Sequence, residues 1–367
     1  MSESDITIGV PRETAEGERR VALVPDAVAA LVSRGLEVVV EPGAGAAALI
    51  PDDLYLAAGA AFDRDAWGCE IVLKVAPPTL EEVARLREGA VLIGFLTPWA
   101  AGDLHSALSL RRVSAFAMES IPRISRAQAM DALTSQSTIA GYKAVIVAAE
   151  HATRLLPMLT TAAGTVPPAR ALVLGAGVAG LQALATASRL GARTTGYDVR
   201  PDAAEQVRSI GADWLDLGIE AAGEGGYARE LTATERTAQQ QALTEAIKTF
   251  DIVITTALVP GHPAPQLVSA DAVAGMRPGS VIVDLAGETG GNCELSEPGR
   301  VTAAHAVTIA APLNLAASAP EHASQLYARN LCALLELMLP DDGAQRIDLS
   351  DEILVAARLT SAESVAA

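Results

Sequence analysis

Residues 172–201 read LVLGAGVAGLQALATASRLGARTTGYDVRP: an apolar run, a glycine turn, a helical pattern, a second apolar run and a carboxylate. Gly175, Gly177 and Gly180 form the pattern GxGxxG. The first glycine permits a tight turn, the second lets backbone N–H groups reach a pyrophosphate, and the third lets the helix pack closely on the strand. Because a strand pattern precedes the turn and a helix pattern follows it, the stretch predicts a dinucleotide site. A flavodoxin-like turn without nucleotide is the alternative.

The end of the second apolar run indicates which dinucleotide is bound. Asp198 is placed to accept hydrogen bonds from an adenosine ribose, and its charge would repel a 2′-phosphate, so it favours NAD(H) over NADP(H). Arg200 is an opposing signal, because an arginine can accommodate that phosphate. We assign Arg200 to the adenine or the ribose edge, with a solvated surface arginine as the alternative.

Composition limits the architecture and the partners. The chain has 367 residues, which suggests two domains. Half of the residues are hydrophobic but only 3% are aromatic, so the cores must be built from Ala, Val, Leu and Ile. The formal net charge of −17 disfavours nucleic acid and anionic membrane surfaces as direct partners, because both attract positive charge.

Alternating β and α patterns predict an α/β fold, with two Rossmann-like doubly wound parallel-sheet domains flanking a nucleotide cleft. The first domain is predicted to comprise residues 1–133 plus 311–367, including a returning C-terminal helix at 321–339. The second, NAD(H)-binding domain is predicted at 134–310. Strands are predicted at 6–10, 37–41, 70–75, 90–96, 113–118, 169–176, 193–199, 249–258, 279–286 and 306–311. The polar segment 217–241 is too long for an ordinary connection and predicts a mobile flap.

Cysteine usage and the N-terminus indicate the compartment. Cys69, Cys293 and Cys332 lie far apart, so neither a disulfide framework nor a metal site is predicted. Cys293 has no histidine or basic residue near it in sequence, and a buried small residue is the prediction there. The start MSESDITIGVPRE has no signal-peptide pattern, and no apolar stretch is long enough to span a membrane. A soluble protein of a reducing cytoplasm is expected.

Several longer strings carry a family resemblance. They are PRISRAQAMDALTSQSTIAGYKAV (122–145), MLTTAAGTVPPARALVLGAGVAGLQA (158–183), GGYARE (225–230), ITTALVPG (254–261) and GSVIVDLAGETGGNC (279–293). Together they resemble the NAD(H)-binding alpha subunit of proton-translocating nicotinamide nucleotide transhydrogenase, in the family that also contains alanine dehydrogenase. The resemblance runs from about residue 6 to about residue 335.

The resemblance implies an activity and an assembly. The chain would bind NAD(H) and present it to NADP(H) held by a partner domain. Hydride would pass directly between the two rings, in the Re/Si-specific reaction, and a membrane-embedded subunit would couple this to proton translocation. A homodimer is implied as well, located in the cytoplasm and held peripherally on the inner face of the cell membrane by its partner subunits, without direct membrane insertion.

The resemblance also assigns residues. Arg123, Gln128 and Asp131 match the family's nicotinamide-side loop and are the predicted catalytic residues, with Thr134 as a secondary hydroxyl contact. Gln128 would donate to the nicotinamide or ribose side, Arg123 would fix a pyrophosphate oxygen or the carboxamide, and Asp131 would anchor the ribose or Arg123. A helix cap or a surface ion pair is the alternative for each of them.

The remaining predicted cofactor contacts lie in the second domain. Gly226 and Tyr227 match a mobile loop whose tyrosine closes over the nucleotide. Thr256 and Leu258 follow a parallel strand, where ligands of such sheets bind. The full set of predicted cofactor-binding residues is Thr134, Gly175, Gly177, Val178, Ala179, Gly180, Asp198, Val199, Arg200, Gly226, Tyr227, Thr256 and Leu258.

Alanine dehydrogenase is the competing enzyme. Arg20 and Lys74 match its carboxylate-binding residues, but its catalytic histidine corresponds to Thr97, which cannot titrate near neutral pH. We expect Lys74 and Arg20 to pair with acidic residues, and we expect the five histidines to be surface or loop residues. A proline–serine–arginine element usual in the transhydrogenases is replaced by LAASAPE (315–321), so a non-catalytic NAD(H)-binding regulatory subunit stays open.

Overall fold

The computed structural model describes residues 6–62, 64–100, 102–218, 232–259, 261–339 and 347–360. The chain divides into two compact units. Unit 1 comprises Met1–Gln136 and Ala317–Ala367, and unit 2 comprises Ser137–Ala316. Whether these units correspond to independently folding domains with the limits predicted above stays a prediction.

Strands and helices are numbered along the whole chain. The strands are β1 Thr7–Val10, β2 Glu37–Val40, β3 Ile71–Leu73, β4 Val91–Gly94, β5 Ser114–Ala117, β6 Leu159–Thr161, β7 Gly164–Val166, β8 Arg170–Leu174, β9 Arg193–Tyr197, β10 Asp213–Trp214, β11 Ile252–Thr255, β12 Val281–Asp284, β13 Val301–Ala304, β14 Val307–Ala310 and β15 Arg358–Thr360. The helices are α1 Pro25–Ser33, α2 Asp52–Ala57, α3 Leu80–Arg85, α4 Asp103–Leu110, α5 Ala132–His151, α6 Val178–Arg189, α7 Ala203–Ser209, α8 Ala233–Ile247, α9 Ala270–Gly275, α10 Pro320–Met338 and α11 Glu352–Ala357.

Unit 1 contains a sheet in the order β15-β5-β4-β3-β1-β2. Its first five strands along the chain are parallel, and β15 joins the β5 edge in the antiparallel direction. Alternate side chains of β3 face two cores, since Ile71 and Leu73 lie in one buried cluster and Val72 lies in another. Burial on both faces is typical of a parallel sheet covered by helices. Helix α10 supplies one of these covers, with Tyr327, Leu331 and Leu335 fully buried.

Unit 2 contains a sheet in the order β10-β9-β8-β11-β12-β14-β13. Counting β8 as the first strand, the parallel part has the order 3-2-1-4-5-6, which is the Rossmann arrangement. Strand order reverses between β8 and β11, and ligands of such sheets bind outside the carboxyl ends of the strands at that point. Ala171 and Val173 face one core cluster and Leu172 and Leu174 the other. The predicted α/β class with two Rossmann-like parallel sheets is therefore confirmed.

Several short elements were not predicted. β13 and β15 are antiparallel edge strands, and β6 and β7 form a separate hairpin whose strand residues are all exposed. Their exposed, polar or small residues lack the apolar runs that mark the central strands. The predicted flap at 217–241 was wrong in its later half: Thr232 and Glu235 form a reciprocal capping box that starts helix α8. No helix in the described portion of the chain is long and apolar enough to cross a bilayer.

Candidate functional site: the glycine turn and the 123–136 segment

The glycine turn lies at the reversal point of the unit 2 sheet. Gly175 follows β8 with a φ of +101°, a conformation that side-chain-bearing residues rarely adopt. Its N–H donates to the Tyr197 carbonyl at 2.8 Å, and its carbonyl accepts the Thr256 hydroxyl at 2.9 Å. Thr256 comes directly after β11, so one hydroxyl joins the ends of the two strands between which the order reverses. This is a positioning contact that fixes the shape of the turn.

The third glycine is required by packing. A Cβ added at Gly180 would lie 1.8 Å from the Gly175 carbonyl oxygen, far inside van der Waals contact. Helix α6 therefore approaches the turn more closely than any side chain allows. A comparable approach occurs between α5 and α6, where a Cβ at Gly141 of α5 would lie 2.1 Å from the Ala179 carbonyl oxygen.

Packing among the described residues does not require the second glycine. A Cβ at Gly177 would meet no described atom within 4 Å, and its φ of −80° suits any residue. Gly177 is the N-cap of α6 and has no side chain, so no side-chain cap satisfies the first N–H groups of this 12-residue helix. That arrangement fits a pyrophosphate, because helix N-termini attract anions. The predicted contacts Val178 and Ala179 form the first turn of the same helix.

Asp198 is held by the turn and by Arg200. One carboxylate oxygen accepts the Ala176 N–H at 2.9 Å and Arg200 Nη2 at 2.8 Å, and the other accepts the Arg200 backbone N–H and Nε at 2.9 and 3.0 Å. Burial alone would raise the pKa of Asp198, but these hydrogen bonds outweigh it and the pKa lies below its usual value. Arg200 thus meets the carboxylate predicted to bind the ribose, and Val199 lies between them in sequence.

Two buried residues that sequence reasoning missed support the strand ends. Asp284, at the end of β12, accepts hydrogen bonds from the Thr255 hydroxyl, the Ser296 hydroxyl and the Cys293 N–H, at 2.7 to 2.9 Å. Asn292 donates to the Ala257 carbonyl at 2.9 Å and accepts its N–H at 3.1 Å. These bonds fix the segment between Thr256 and the exposed Leu258. The available signal was the string DLAGETGGNC (284–293), in which Asn292 directly follows two glycines at positive φ.

In unit 1 the predicted nicotinamide-side loop contains a short 3₁₀ helix, Ser125–Met130, that leads into α5. Gln128 is exposed on this helix, and Arg123 is exposed just before it. Both carboxylate oxygens of Asp131 accept hydrogen bonds from Thr134, one from its N–H at 2.8 Å and one from its hydroxyl at 2.7 Å. Asp131 therefore caps helix α5, which is the alternative stated for it above. Contacts of Asp131 and Thr134 with a nucleotide stay predictions.

Buried polar contacts hold this loop in place. Gln136 is buried and accepts a hydrogen bond from Arg20 Nη1 at 2.9 Å, and its amide donates to the Ala323 carbonyl at 3.1 Å. Asn330, on α10, donates to the Ala129 carbonyl at 2.8 Å. Asn330 thus holds the loop from within and accepts the Ser135 hydroxyl at 2.7 Å, while Gln136 anchors the first turns of α5. Sequence patterns alone do not show these contacts.

Arg20 and Lys74 are both neutralised by buried carboxylates, as predicted. Arg20 Nη2 lies 2.6 Å from Glu18 Oε2, and Lys74 Nζ lies 3.1 Å from Glu13 and 3.4 Å from Glu82. Burial raises the pKa of Glu13, although Lys74 and the Val75 N–H oppose this. Arg20 and Lys74 therefore carry charges that are already compensated within the fold.

The other predicted residues are placed as follows. Gly226 and Tyr227 lie outside the described residues. Cys293 is 1% exposed, which confirms the prediction of a buried residue. No histidine corresponds to Thr97, which adopts a φ of +52° and donates its N–H to Glu119. Within the described ranges, no group of three or more His, Cys, Asp or Glu is placed to hold a metal. The residues of the glycine turn lie together in unit 2, and residues 123–136 lie in unit 1.

This geometry defines a Rossmann-type α/β protein with a turn built for a dinucleotide. The family models "Alanine dehydrogenase/PNT, N-terminal domain" and "Alanine dehydrogenase/PNT, C-terminal domain" match residues 9–140 and 144–367. The chain belongs to the alanine dehydrogenase/PNT family.

Three comparisons show which members it resembles. It is 43% identical over 353 residues to NAD(P) transhydrogenase subunit alpha of Haemophilus influenzae, covering 95% of this chain and 69% of that one. The crystal structure of transhydrogenase from Sinorhizobium meliloti superimposes with a TM-score of 0.88 at 44% identity, covering 97% of this chain and 99% of that one. An L-alanine dehydrogenase structure superimposes with a TM-score of 0.81 at 27% identity, covering 97% and 96%.

Proposed function

We propose that this chain is the NAD(H)-binding alpha subunit of a proton-translocating, Re/Si-specific nicotinamide nucleotide transhydrogenase. The observation that carries the proposal is a dinucleotide turn in a chain whose Arg20 and Lys74 are already paired and whose Thr97 cannot titrate. Oxidation of an amino acid requires an acid–base group near neutral pH. Direct hydride transfer between two nicotinamide rings requires only that they be held close and dry.

In this proposal the residues of this chain bind NAD(H) and orient its nicotinamide ring. NADH, when bound, supplies the hydride. The N–H groups at the start of α6 would hold the pyrophosphate, Asp198 the adenosine ribose, and Thr256 and Leu258 would flank the nucleotide. Arg123 and Gln128 are exposed on a loop fixed by buried contacts, so they would orient the nicotinamide end with little conformational cost. Tyr227 would close over the nucleotide.

The partners follow from the same proposal. A separate domain would hold NADP(H), and a membrane-embedded subunit would translocate the proton and keep this chain at the inner face of the cell membrane. A homodimer is supported by the β6–β7 hairpin, whose strand residues are exposed and include Leu159 and Val166 at 44% and 45% exposure, with Met158 beside them at 64%. Apolar side chains exposed together favour an interface with a second copy.

The loop assignment is tested by Gln128→Asn. Shortening this exposed side chain by one methylene should withdraw its amide from the nicotinamide side, and we expect hydride transfer to fall about tenfold or more while NADH affinity changes little. The assay mixes the purified chain with an NADP(H)-binding domain of a transhydrogenase and follows reduction of an NAD+ analogue by NADPH. Gln206→Asn, on the exposed face of α7, is the matched control and should transfer at the unmodified rate.

The outcomes of this assay separate the candidate functions. Chain-dependent transfer that is slowed only by Gln128→Asn supports the proposal. Tight NADH binding without transfer would favour the non-catalytic regulatory subunit. The structural likeness to L-alanine dehydrogenase gives the second enzyme candidate, and NADH formation from alanine and NAD+ by the chain alone would favour it over the transhydrogenase.

Cofactor preference is tested by Asp198→Ala. Removing the carboxylate deprives the ribose of its acceptor and releases Arg200 from its bidentate contact. We therefore expect NADH affinity to fall about tenfold and NADPH affinity to rise, because the freed guanidinium can bind the 2′-phosphate. Fluorescence titration with both nucleotides measures the two changes. The double variant Asp198→Ala/Arg200→Gln should lose the gain for NADPH, and a gain that persists in it would exclude Arg200 as the cause.

A further inference from the structure

A cavity of about 430 Å³ lies in unit 2, apart from the glycine turn. Its cationic residues are Arg154, Arg170, Arg193, Lys248 and Arg277, and its one carboxylate is Asp251; we call this set the basic pocket. Five of the chain's 27 lysines and arginines therefore converge in a protein with a net charge of −17. Neither the sheet core nor the proposed hydride transfer uses any of them.

The topology places the basic pocket at the amino ends of the parallel strands, whereas the dinucleotide turn lies at their carboxyl ends. Arg170 and Arg193 are the first residues of β8 and β9, Asp251 directly precedes β11, and Arg277 precedes β12. These strands are parallel, so all four residues lie at the amino edge. The glycine turn and Thr256 follow the carboxyl ends of β8 and β11. A ligand in the basic pocket would therefore not compete with a nucleotide at the turn.

The charges of the basic pocket are only partly compensated: Lys248 pairs with Glu245 at 2.6 Å, whereas among the residues that line the pocket the four arginines share Asp251 alone. Arg170 and Arg193 are direct neighbours in the register of β8 and β9, and like charges placed opposite each other destabilise a sheet. Asp251 is shared between Arg154 and Arg277, at long distances of 3.5 and 3.4 Å, and one of its oxygens already accepts the Arg170 N–H. Within the described ranges the Arg193 side chain makes no hydrogen bond or ion pair. A bound anion would relieve this excess of positive charge.

We infer that the basic pocket is a second ligand site, which binds a small phosphate-rich anion through its pyrophosphate group. Guanidinium groups bind phosphate oxygens in pairs, and several of them converging on one cavity suit two adjacent phosphates better than a single carboxylate. The volume is in the range of small-molecule sites. Arg170 is held over the ring of Phe250, 4.7 Å from its centroid, so its guanidinium is oriented before a ligand arrives.

The test is titration calorimetry of the full chain with inorganic pyrophosphate, alone and with one equivalent of NADH, which fills the glycine turn without saturating the basic pocket through its own pyrophosphate. We expect saturable 1:1 binding that persists with NADH present and weakens with added salt. Arg193→Gln/Arg277→Gln should weaken it about tenfold or more, and Arg193→Gln alone, which leaves the Asp251 contacts intact, should weaken it measurably. Arg300→Gln, an exposed arginine of the same unit outside the pocket, is the matched control and should bind as the unmodified chain does.

The outcomes are distinct. Tighter binding of ATP than of pyrophosphate would support the site and identify a nucleoside polyphosphate as its ligand, and equal binding would support the site with the pyrophosphate group as the whole determinant. Absence of pyrophosphate binding, its displacement by a single equivalent of NADH, or equal affinity in Arg193→Gln/Arg277→Gln and the unmodified chain would overturn the inference. Hydride transfer is measured separately, so failure here does not bear on the proposed function.

Discussion

Gly180→Ala is expected to destabilise unit 2 by about 3 kcal/mol or more, because overpacking against a rigid backbone cannot be relieved by a side-chain rotation. The new methyl group would lie 1.8 Å from the Gly175 carbonyl oxygen, so either the turn or helix α6 must move. Gly175 cannot yield easily, since its N–H and carbonyl are both bonded to neighbouring strands. Chemical unfolding followed by far-UV circular dichroism measures the loss, and NADH binding should disappear with it.

Gly177→Ala is the matched variant that separates packing from binding. Its methyl group would lie within 4 Å of no atom in the part of the chain that the structure describes, so the free energy of unfolding should change by less than about 0.5 kcal/mol. The methyl group would, however, occupy the space in front of the α6 N–H groups, and we expect NADH affinity to fall about tenfold or more. If Gly177→Ala bound NADH normally, the pyrophosphate would have to lie elsewhere, and the dinucleotide assignment of the turn would be wrong.

Lys74→Met is expected to cost unit 1 about 3–5 kcal/mol, the range for removing one partner of a buried ion pair. Lys74 is 1% exposed, and its loss leaves Glu13 and Glu82 facing each other without a cation. The matched control is Lys248→Met, which breaks a pair with the largely exposed Glu245 and should cost less than about 1 kcal/mol. An Lys74→Met protein as stable as the unmodified chain would show that the carboxylates do not depend on this cation.

The pH dependence of Lys74→Met follows from Glu13. Burial raises the pKa of Glu13 in the folded state above that of an unfolded glutamate, so the folded state takes up the proton more readily. The stabilisation from that proton is present below the unfolded pKa and is lost as pH rises through the folded pKa. Without Lys74 the folded pKa rises further, so the cost of the substitution should be smaller at about pH 5 than at about pH 8. The double variant Lys74→Met/Glu13→Gln should recover some of the loss at the higher pH.

The central strands and the glycine turn were predictable because their determinants are local. The run ALVLGAGVAG contains its own strand, turn and helix start, and the strands at 279–286 and 306–311 are apolar runs bounded by turns. Edge strands were missed because their determinants are not local. β15, for example, depends on pairing with β5, which lies more than 200 residues earlier. The start of α8 was marked by Thr232 and Glu235, but its polar sequence suggested a flap.

The candidate site also contains some features that the sequence predicted and others that it did not. The roles of Gly175 and Gly180 were deduced from spacing and are matched by close approaches within the turn. The capping of α5 by Asp131 was a stated alternative, but the choice between cap and ligand depends on a side-chain direction that spacing does not fix. The supports provided by Asp284 and Asn292, and the basic pocket, are assembled from residues distant in sequence. No local pattern indicates the basic pocket.

The discontinuity of unit 1 has a consequence for synthesis on the ribosome. Residues 6–136 emerge first, but α10, whose Tyr327, Leu331 and Leu335 complete the core of unit 1, follows only after all of unit 2. At 5–20 residues per second the ribosome needs roughly 10–40 s to make that intervening segment. During this interval the apolar face that α10 later covers lacks its partner on the nascent chain, whereas unit 2 is contiguous in sequence. The unit whose residues come first in this sequence is therefore completed after the unit that interrupts it, because its core waits for α10.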